Sequence, residues 1–255
     1  MNKNDNEGGF VSHLVELRKR LIHSFIFLFA FFVFCYFFSE YIYGFLVEPY
    51  AQAVKDDGSQ RRLIFTALQE TFLTYVKVSF FASFFATSPF ILIQIWKFIA
   101  PGLYKHEKIA IMPYLIATPI LFFLGGILVY YLIMPLAIKF FLSFESLGGT
   151  TSLPIQLEAK VNEYLSLVMK LIFAFGLSFQ LPVVLSLLAR IGVIDSEFLK
   201  KRRKYVVVII FAAAALLTPP DPVTQIGLAI PLLLLYELSI ISVKFIEKKN
   251  KEKNA

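Results

Sequence analysis

Residues His13 to Phe34 read HLVELRKRLIHSFIFLFAFFVF, a charged beginning that turns into an almost unbroken apolar run. A helix that crosses a bilayer needs roughly 20 mostly apolar residues, and Leu21–Phe38 supplies such a run. The triplet Arg18-Lys19-Arg20 at its edge is what a cytoplasmic helix end carries. Glu16 is the residue that does not belong to this pattern. It places a carboxylate beside three cations at the mouth of a membrane segment. Taken alone, it fits an i, i+4 pair with Arg20 or an acidic charge near a helix N-terminus.

The rest of the chain repeats the apolar half of that stretch. Of 255 residues, 58% are hydrophobic and 29 are Phe, and the mean hydropathy is +0.70. A soluble domain of this length is nearer half apolar, so this composition points to an all-α integral membrane protein. After the first run come Tyr75–Trp96, Ile109–Ile138, Leu165–Leu188, Tyr205–Leu217 and Val223–Val243, which predicts six transmembrane helices. Prolines within them predict kinks, because each removes a backbone donor and crowds the preceding turn. The last two spans are short. Tyr205–Leu217 reaches only about 20 Å as a helix, against a hydrocarbon core near 30 Å. Either flanking residues complete the span or the bilayer thins there.

The charges orient the parse. With the N-terminus inside, most of the 25 Lys and Arg fall on that side, and the opposite side holds Lys55, Arg61, Arg62, Lys139 and Lys160. That asymmetry predicts both termini in the cytoplasm. The net charge of +7 does not argue for nucleic acid, since the cations cluster at the ends of apolar runs, where membrane lipid and topology account for them. The predicted organisation is a single six-span membrane domain over 1–245 and a disordered cytoplasmic tail over 246–255. In the first external loop, YGFLVEPYAQAV reads equally as an interfacial helix and as a loop with a proline turn. No cleavable signal peptide is visible in the first run.

Several chemistries are missing from the sequence. There is no Gly-rich phosphate loop. The three histidines have no metal-ligand spacing with each other or with Cys35. The expectation is therefore no catalytic residue, no metal and no cofactor in a protein that is not an enzyme. Charge inside the spans keeps one alternative open: a secondary transporter for a small solute, built on Lys77, Lys170 and Gln180.

Four stretches narrow the choice: SHLVELRKRLI at the start, FIAPGLYKHEK from Phe98 to Lys108, FGLSFQLPVVL from Phe175 to Leu185, and LLTPPDPVTQ from Leu216 to Gln225. Their order and their placement among six spans resemble the C subunit of the twin-arginine protein translocase (TatC). The resemblance extends over roughly residues 12 to 245. It implies a bacterial inner-membrane, multi-pass receptor for signal peptides that carry a paired-arginine motif. Such a receptor assembles with single-span TatA/TatB-type subunits and with further copies of itself, and exports folded cargo on the proton-motive force.

The resemblance also gives Glu16 a role. It implies that Glu16 and Glu107 are the carboxylates that recognise the paired arginines, since Arg–carboxylate forks supply planar, bidentate partners. Phe98 beside the loop motif is implied as a further contact, with interfacial anchoring as its plainer role. Thr218 and Gln225 are implied to dock a partner's single helix, and Pro49 to fix a turn in the first external loop. Asp221 is expected to cap the sixth span. The sequence departs from the usual family pattern at Gln180, where glutamate is common. This amide is expected to face a water-accessible pocket within the membrane. Lys170, on the same span, is an additional cation.

Overall fold

The computed structural model describes residues 3–56, 62–103, 108–146, 153, 155–218 and 220–254. Its helices, in chain order, are α1 (Lys3–Phe37), α2 (Ser39–Asp56), α3 (Glu70–Leu103), α4 (Lys108–Leu128), a π-helical turn (Val129–Ile133), α5 (Met134–Leu142), α6 (Val161–Ser178), α7 (Leu181–Arg190), α8 (Ser196–Leu217) and α9 (Pro222–Asn254). Extended structure among the described residues is limited to two isolated bridges, Ile64 with Lys160 and Ser146 with Ile155. The all-α membrane architecture expected from composition is what forms.

Among the described residues, 5 segments can cross a membrane by length and composition: Leu14–Phe37, Glu70–Ile95, Met112–Leu142, Val161–Arg190 and Pro222–Lys248. These overlap five of the six predicted spans. The remaining one, Tyr205–Leu217, is the apolar part of α8, whose first turns carry the basic run Lys200–Lys204. The stretch 246–255, expected to be a disordered tail, continues α9 as helix through Asn254.

The chain forms two compact units. One comprises Met1–Ile42 and Tyr75–Pro119, and the other Tyr43–Thr74 and Ile120–Ala255. In the first, aromatic side chains tie α1 to α3, with ring centroids 4.6 Å apart for Phe27 and Phe90 and 6.3 Å for Phe32 and Phe80. Other phenylalanines of α1, such as Phe25, Phe29 and Phe37, point outward, as they should on a helix whose solvent is lipid. On α3 the buried hydroxyls bond their own helix: Ser79 donates to the Tyr75 carbonyl and Thr87 to the Ser83 carbonyl, each at 2.7 Å. This back-bonding lets small polar side chains sit in an apolar segment without an unmet donor.

In the second unit, α4 and α6 meet at reciprocal glycines. A Cβ on Gly125 would lie 2.8 Å from the Phe175 carbonyl oxygen, and one on Gly176 would lie 2.8 Å from the Phe122 ring. Without a hydrophobic driving force between helices in lipid, such close backbone approach is what holds them. The span Val161–Arg190 is broken where the sequence predicts a kink. Pro182 cannot donate to the Ser178 carbonyl; α6 ends at Ser178 and α7 begins at Leu181. In the Met112–Leu142 span the departure from α-geometry is the π-helical turn just before Pro135. Helix α9 packs on α7 and α8, around a core of Ala189, Leu199, Tyr236, Ile240 and Val243.

Pro49 corrects an expectation. It does not fix a turn in a loop: it lies buried inside α2, and the helix runs past it to Asp56. Proline offers no N–H to the carbonyl four residues earlier, here that of Phe45. That carbonyl accepts instead from the Tyr130 hydroxyl at 2.7 Å, and the Tyr130 ring stacks on Phe45 at 4.4 Å. One residue on, the Leu46 carbonyl accepts from the Tyr164 hydroxyl at 3.1 Å. Two tyrosines from distant helices thus support the helix at its proline. Tyr130→Phe is expected to lower stability by about 1–3 kcal/mol, the cost of stranding a buried acceptor. Thermal unfolding in detergent checks it: the midpoint should fall for Tyr130→Phe and stay in place for Tyr131→Phe, whose side chain is exposed.

Candidate functional site

Glu16 lies on α1 one turn before Arg20, so helical geometry sets the two side chains on one face. The Arg20 guanidinium donates twice to Glu16 Oε1, from Nη2 at 2.6 Å and from Nε at 3.0 Å. Its remaining arm, Nη1, donates to Gln94 Oε1 on α3 at 2.9 Å. Both residues of the ion pair are partly exposed. The group opens into a cavity of ≈ 360 Å³ lined by Glu16, Lys19, Arg20, His23 and Gln94. Beside it the His23 Nδ1 lies 2.6 Å from the Lys19 carbonyl oxygen, and Ser24 donates to the Arg20 carbonyl at 3.0 Å.

The i, i+4 pair that the sequence allows is therefore present, and it has a second anchor that the sequence did not announce. Gln94 sits in the apolar run ILIQIW. An amide there is the signal that was available, because polar side chains in spans need partners. Chemically, the arrangement shows a carboxylate that holds a guanidinium fork at a basic helix end. A carboxylate has about four acceptor positions, so one fork does not exhaust it.

The other sequence-predicted residues fall as follows. Glu107 lies outside the described residues. Phe98 is half-buried on α3. Lys77 is exposed on α3, and Lys170 is exposed on α6. Gln180 lies between α6 and α7, where its backbone donates to the Leu177 carbonyl and accepts from Val184, both at 3.0 Å. The residue is only 8% exposed, at the break between the two helices. Lys170 and Gln180 lie in the same unit, Lys170 on α6 and Gln180 within the break that follows it.

Thr218 caps the end of α8, with its hydroxyl donating to the Ala214 carbonyl at 2.8 Å. Asp221 is 3% exposed. It accepts from the Thr224 N–H at 2.7 Å and from the Thr224 hydroxyl. This is N-cap geometry for α9, with Pro222 in the first helical position. Gln225, in the first turn, is half-buried, and its N–H reaches the Asp221 carbonyl at 3.3 Å.

Sequence reasoning also missed Glu70 and Glu145. Glu70 accepts from the N–H of Thr66 at 2.8 Å, of Ala67 at 3.3 Å and of Asn162 at 3.4 Å. Glu145 accepts from the Leu157 N–H at 2.6 Å. Both carboxylates fold connecting segments, and only the Glu70 contacts to Thr66 and Ala67 are local enough to read as a helix-start pattern. No cluster of metal-ligating side chains occurs among the described residues.

A helical membrane protein with most of its charged side chains near helix ends, one of them a carboxylate that grips a guanidinium, falls in the class of membrane receptors and transport subunits. Comparison with known proteins gives the family. Residues 12–231 match the family Sec-independent protein translocase protein (TatC). The chain is 49% identical to the protein of that name from Magnetococcus marinus over 98% of this chain and 89% of the relative. It is 36% identical to the one from Escherichia coli strain K12, over 95% and 91%. A crystal structure of the twin-arginine translocase receptor TatC superposes with TM-score 0.77 at 40% identity, covering 92% of this chain and 99% of that one.

This chain belongs to the TatC family. It is a subunit of the Tat protein translocase, a multi-pass membrane component of protein transport and not an enzyme, and that translocase works with TatA and TatB subunits. The secondary-transporter alternative has no support from these relatives.

The cap on α9 gives a prediction. Asp221→Ala is expected to cost about 0.5–2 kcal/mol, as loss of an N-cap does, and Asp221→Asn to retain most of that stability. Thermal unfolding of the two variants side by side checks the order.

Proposed function

We propose that this subunit is the signal-peptide receptor of its translocase, with Glu16 and Glu107 taking the paired arginines of the peptide and Phe98 flanking them. The observation that carries the reading is the Arg20 fork on Glu16 Oε1, at 2.6 and 3.0 Å. The carboxylate of this chain is shaped and oriented for a guanidinium, and it stands beside a cavity lined by polar side chains. A planar fork distinguishes arginine from lysine, which offers a point charge without a bidentate face. Arg20, tied to Gln94, keeps Glu16 in place while acceptor capacity remains for a second fork.

In this reading both termini are cytoplasmic, because the basic ends of the apolar runs share one side, and the membrane is the bacterial inner membrane. The Thr218–Gln225 region docks the single helix of a TatA/TatB-type subunit: a polar group at a helix end in lipid stabilises a crossing helix by about 1 kcal/mol. Further copies of the chain complete the complex. Folded cargo bearing a twin-arginine signal peptide is exported on the proton-motive force. Gln180 and Lys170 serve as intramembrane polar groups of that route, with no titrating carboxylate at position 180.

Glu16→Ala and Glu107→Ala are each expected to weaken binding of a twin-arginine peptide about tenfold or more, the weight of a charge-assisted hydrogen bond of roughly 1.5–3 kcal/mol. Insertion and thermal stability should stay near those of the unsubstituted protein. Photocrosslinking of the peptide to purified protein reads this out. Undiminished crosslinking in the double variant would rule out the assignment.

A further inference from the structure

We propose that the groove between the basic ends of α8 and α9 is a headgroup site for one anionic phospholipid. The groove has a volume of ≈ 650 Å³. Ser196, Lys200 and Arg203 line it from α8, and Glu237, Lys244 and Lys248 from α9. With Ile240 and Ile241 of α9, which also line it, these residues recur at three- and four-residue intervals, so each helix turns one continuous face to the groove.

The charges of the groove do not cancel. Its two carboxylates are engaged. Glu237 holds Arg203 at 2.6 Å. Glu247 accepts from the Ser196 N–H and from the Ser196 hydroxyl, both at 2.6 Å. Neighbouring basic residues are also accounted for: Lys201 pairs with Glu197 at 3.0 Å, and Arg202 lies over the Phe198 and Tyr205 rings. Lys200 and Lys244 line the groove and make no ion pair among the described residues. Two ammonium groups converge there, and a phosphate ester is an anion of matching size and charge.

The apolar surface that continues from the groove selects lipid over a soluble phosphate. Ile241 and Phe245 form part of its wall. With Leu238 and Leu234 they make one stripe along α9, spaced at three and four residues. Their exposures are 52%, 70%, 57% and 62%. From Phe245, at the level of Lys244, the stripe runs about 16 Å along α9 toward the middle of the span, close to the hydrocarbon depth of one leaflet, about 15 Å. The groove itself lies in the last turns of the membrane segment Pro222–Lys248. A phosphate held by Lys200 and Lys244 at that level leaves its acyl chain on Leu234–Phe245, while the lysine stems lie along the apolar wall. Inorganic phosphate has no use for such a stripe.

The test uses the full chain in nanodiscs of phosphatidylcholine containing a trace of photoactivatable phosphatidylglycerol. Crosslinks to α8 and α9 are counted by peptide mapping. The Lys200→Gln, Lys244→Gln double variant is expected to lose roughly tenfold of that crosslinking, since each cation near an anionic headgroup favours the bound lipid. Lys201→Gln, which removes a cation outside the groove, is expected to lose none. A photoactivatable phosphatidylcholine should label the site far less than phosphatidylglycerol, and excess inorganic phosphate should leave the labelling in place. Equal labelling of the double variant, or equal labelling by phosphatidylcholine, overturns the proposal. Loss of labelling to inorganic phosphate makes the groove a free-anion site and overturns it as well. Folding of the double variant is verified by its unfolding midpoint, which these surface substitutions are expected to leave unchanged.

Discussion

A backbone carbonyl left without a donor in hydrocarbon costs several kcal/mol, and the helix interruptions of this chain are organised around that penalty. Pro49 withholds an N–H from the Phe45 carbonyl, and Tyr130, 85 residues away, donates its hydroxyl there. Tyr164 does the same for Leu46. The two hydroxyls draw α2 onto the π-helical turn and the start of α6, which lets a proline persist inside a helix. At the opposite kind of end, Asp221 meets the first donors of α9, so the tight link after α8 needs no longer loop. On α3 the serine and threonine hydroxyls close on their own carbonyls. These hydroxyls are thereby made safe in lipid, and most of the charge is confined to the helix ends, with Lys77 and Lys170 as exposed exceptions within the spans.

That gathering of charge sets the surface on which the proposed recognition rests. With most charge kept out of the spans, Glu16 stands near a helix end where the chain's own cations crowd. Glu16 survives there because Arg20 neutralises it and Gln94 steadies Arg20. The same crowding at the start of α8 is resolved differently. Glu237 and Glu247, from α9, reach across to Arg203 and to the first N–H of α8, and the cations left over face the groove. Both features follow from one rule: near a membrane surface a basic cluster needs either an internal carboxylate or an external anion.

The spans were legible in the sequence because apolar runs of membrane length leave few alternatives. Breaks near Pro135 and Pro182 were legible too, since proline acts locally. The Glu16–Arg20 pair was readable from four-residue spacing, and so was the cap at Asp221. What could not be read was non-local. Pro49 suggested a turn because nothing nearby shows that Tyr130 will supply the missing donor. Gln94 is 74 residues from Arg20, and Glu247 is 51 from Ser196; no periodicity connects them. The last stretch of α9 reads as a solvated coil from its dense charge, while helix assigned through Asn254 follows from a long preceding helix that already provides the nucleus, so that propagation is inexpensive.

The central claim is that Glu16 reads a guanidinium of the signal peptide directly. A double-mutant cycle tests it, pairing Glu16→Gln with replacement of each peptide arginine by lysine and measuring peptide affinity for all combinations. The account predicts that one arginine-to-lysine change, strongly weakening with Glu16 in place, has little further effect once Glu16 is Gln, which is the signature of a direct contact. Strictly additive losses at both arginines would contradict it.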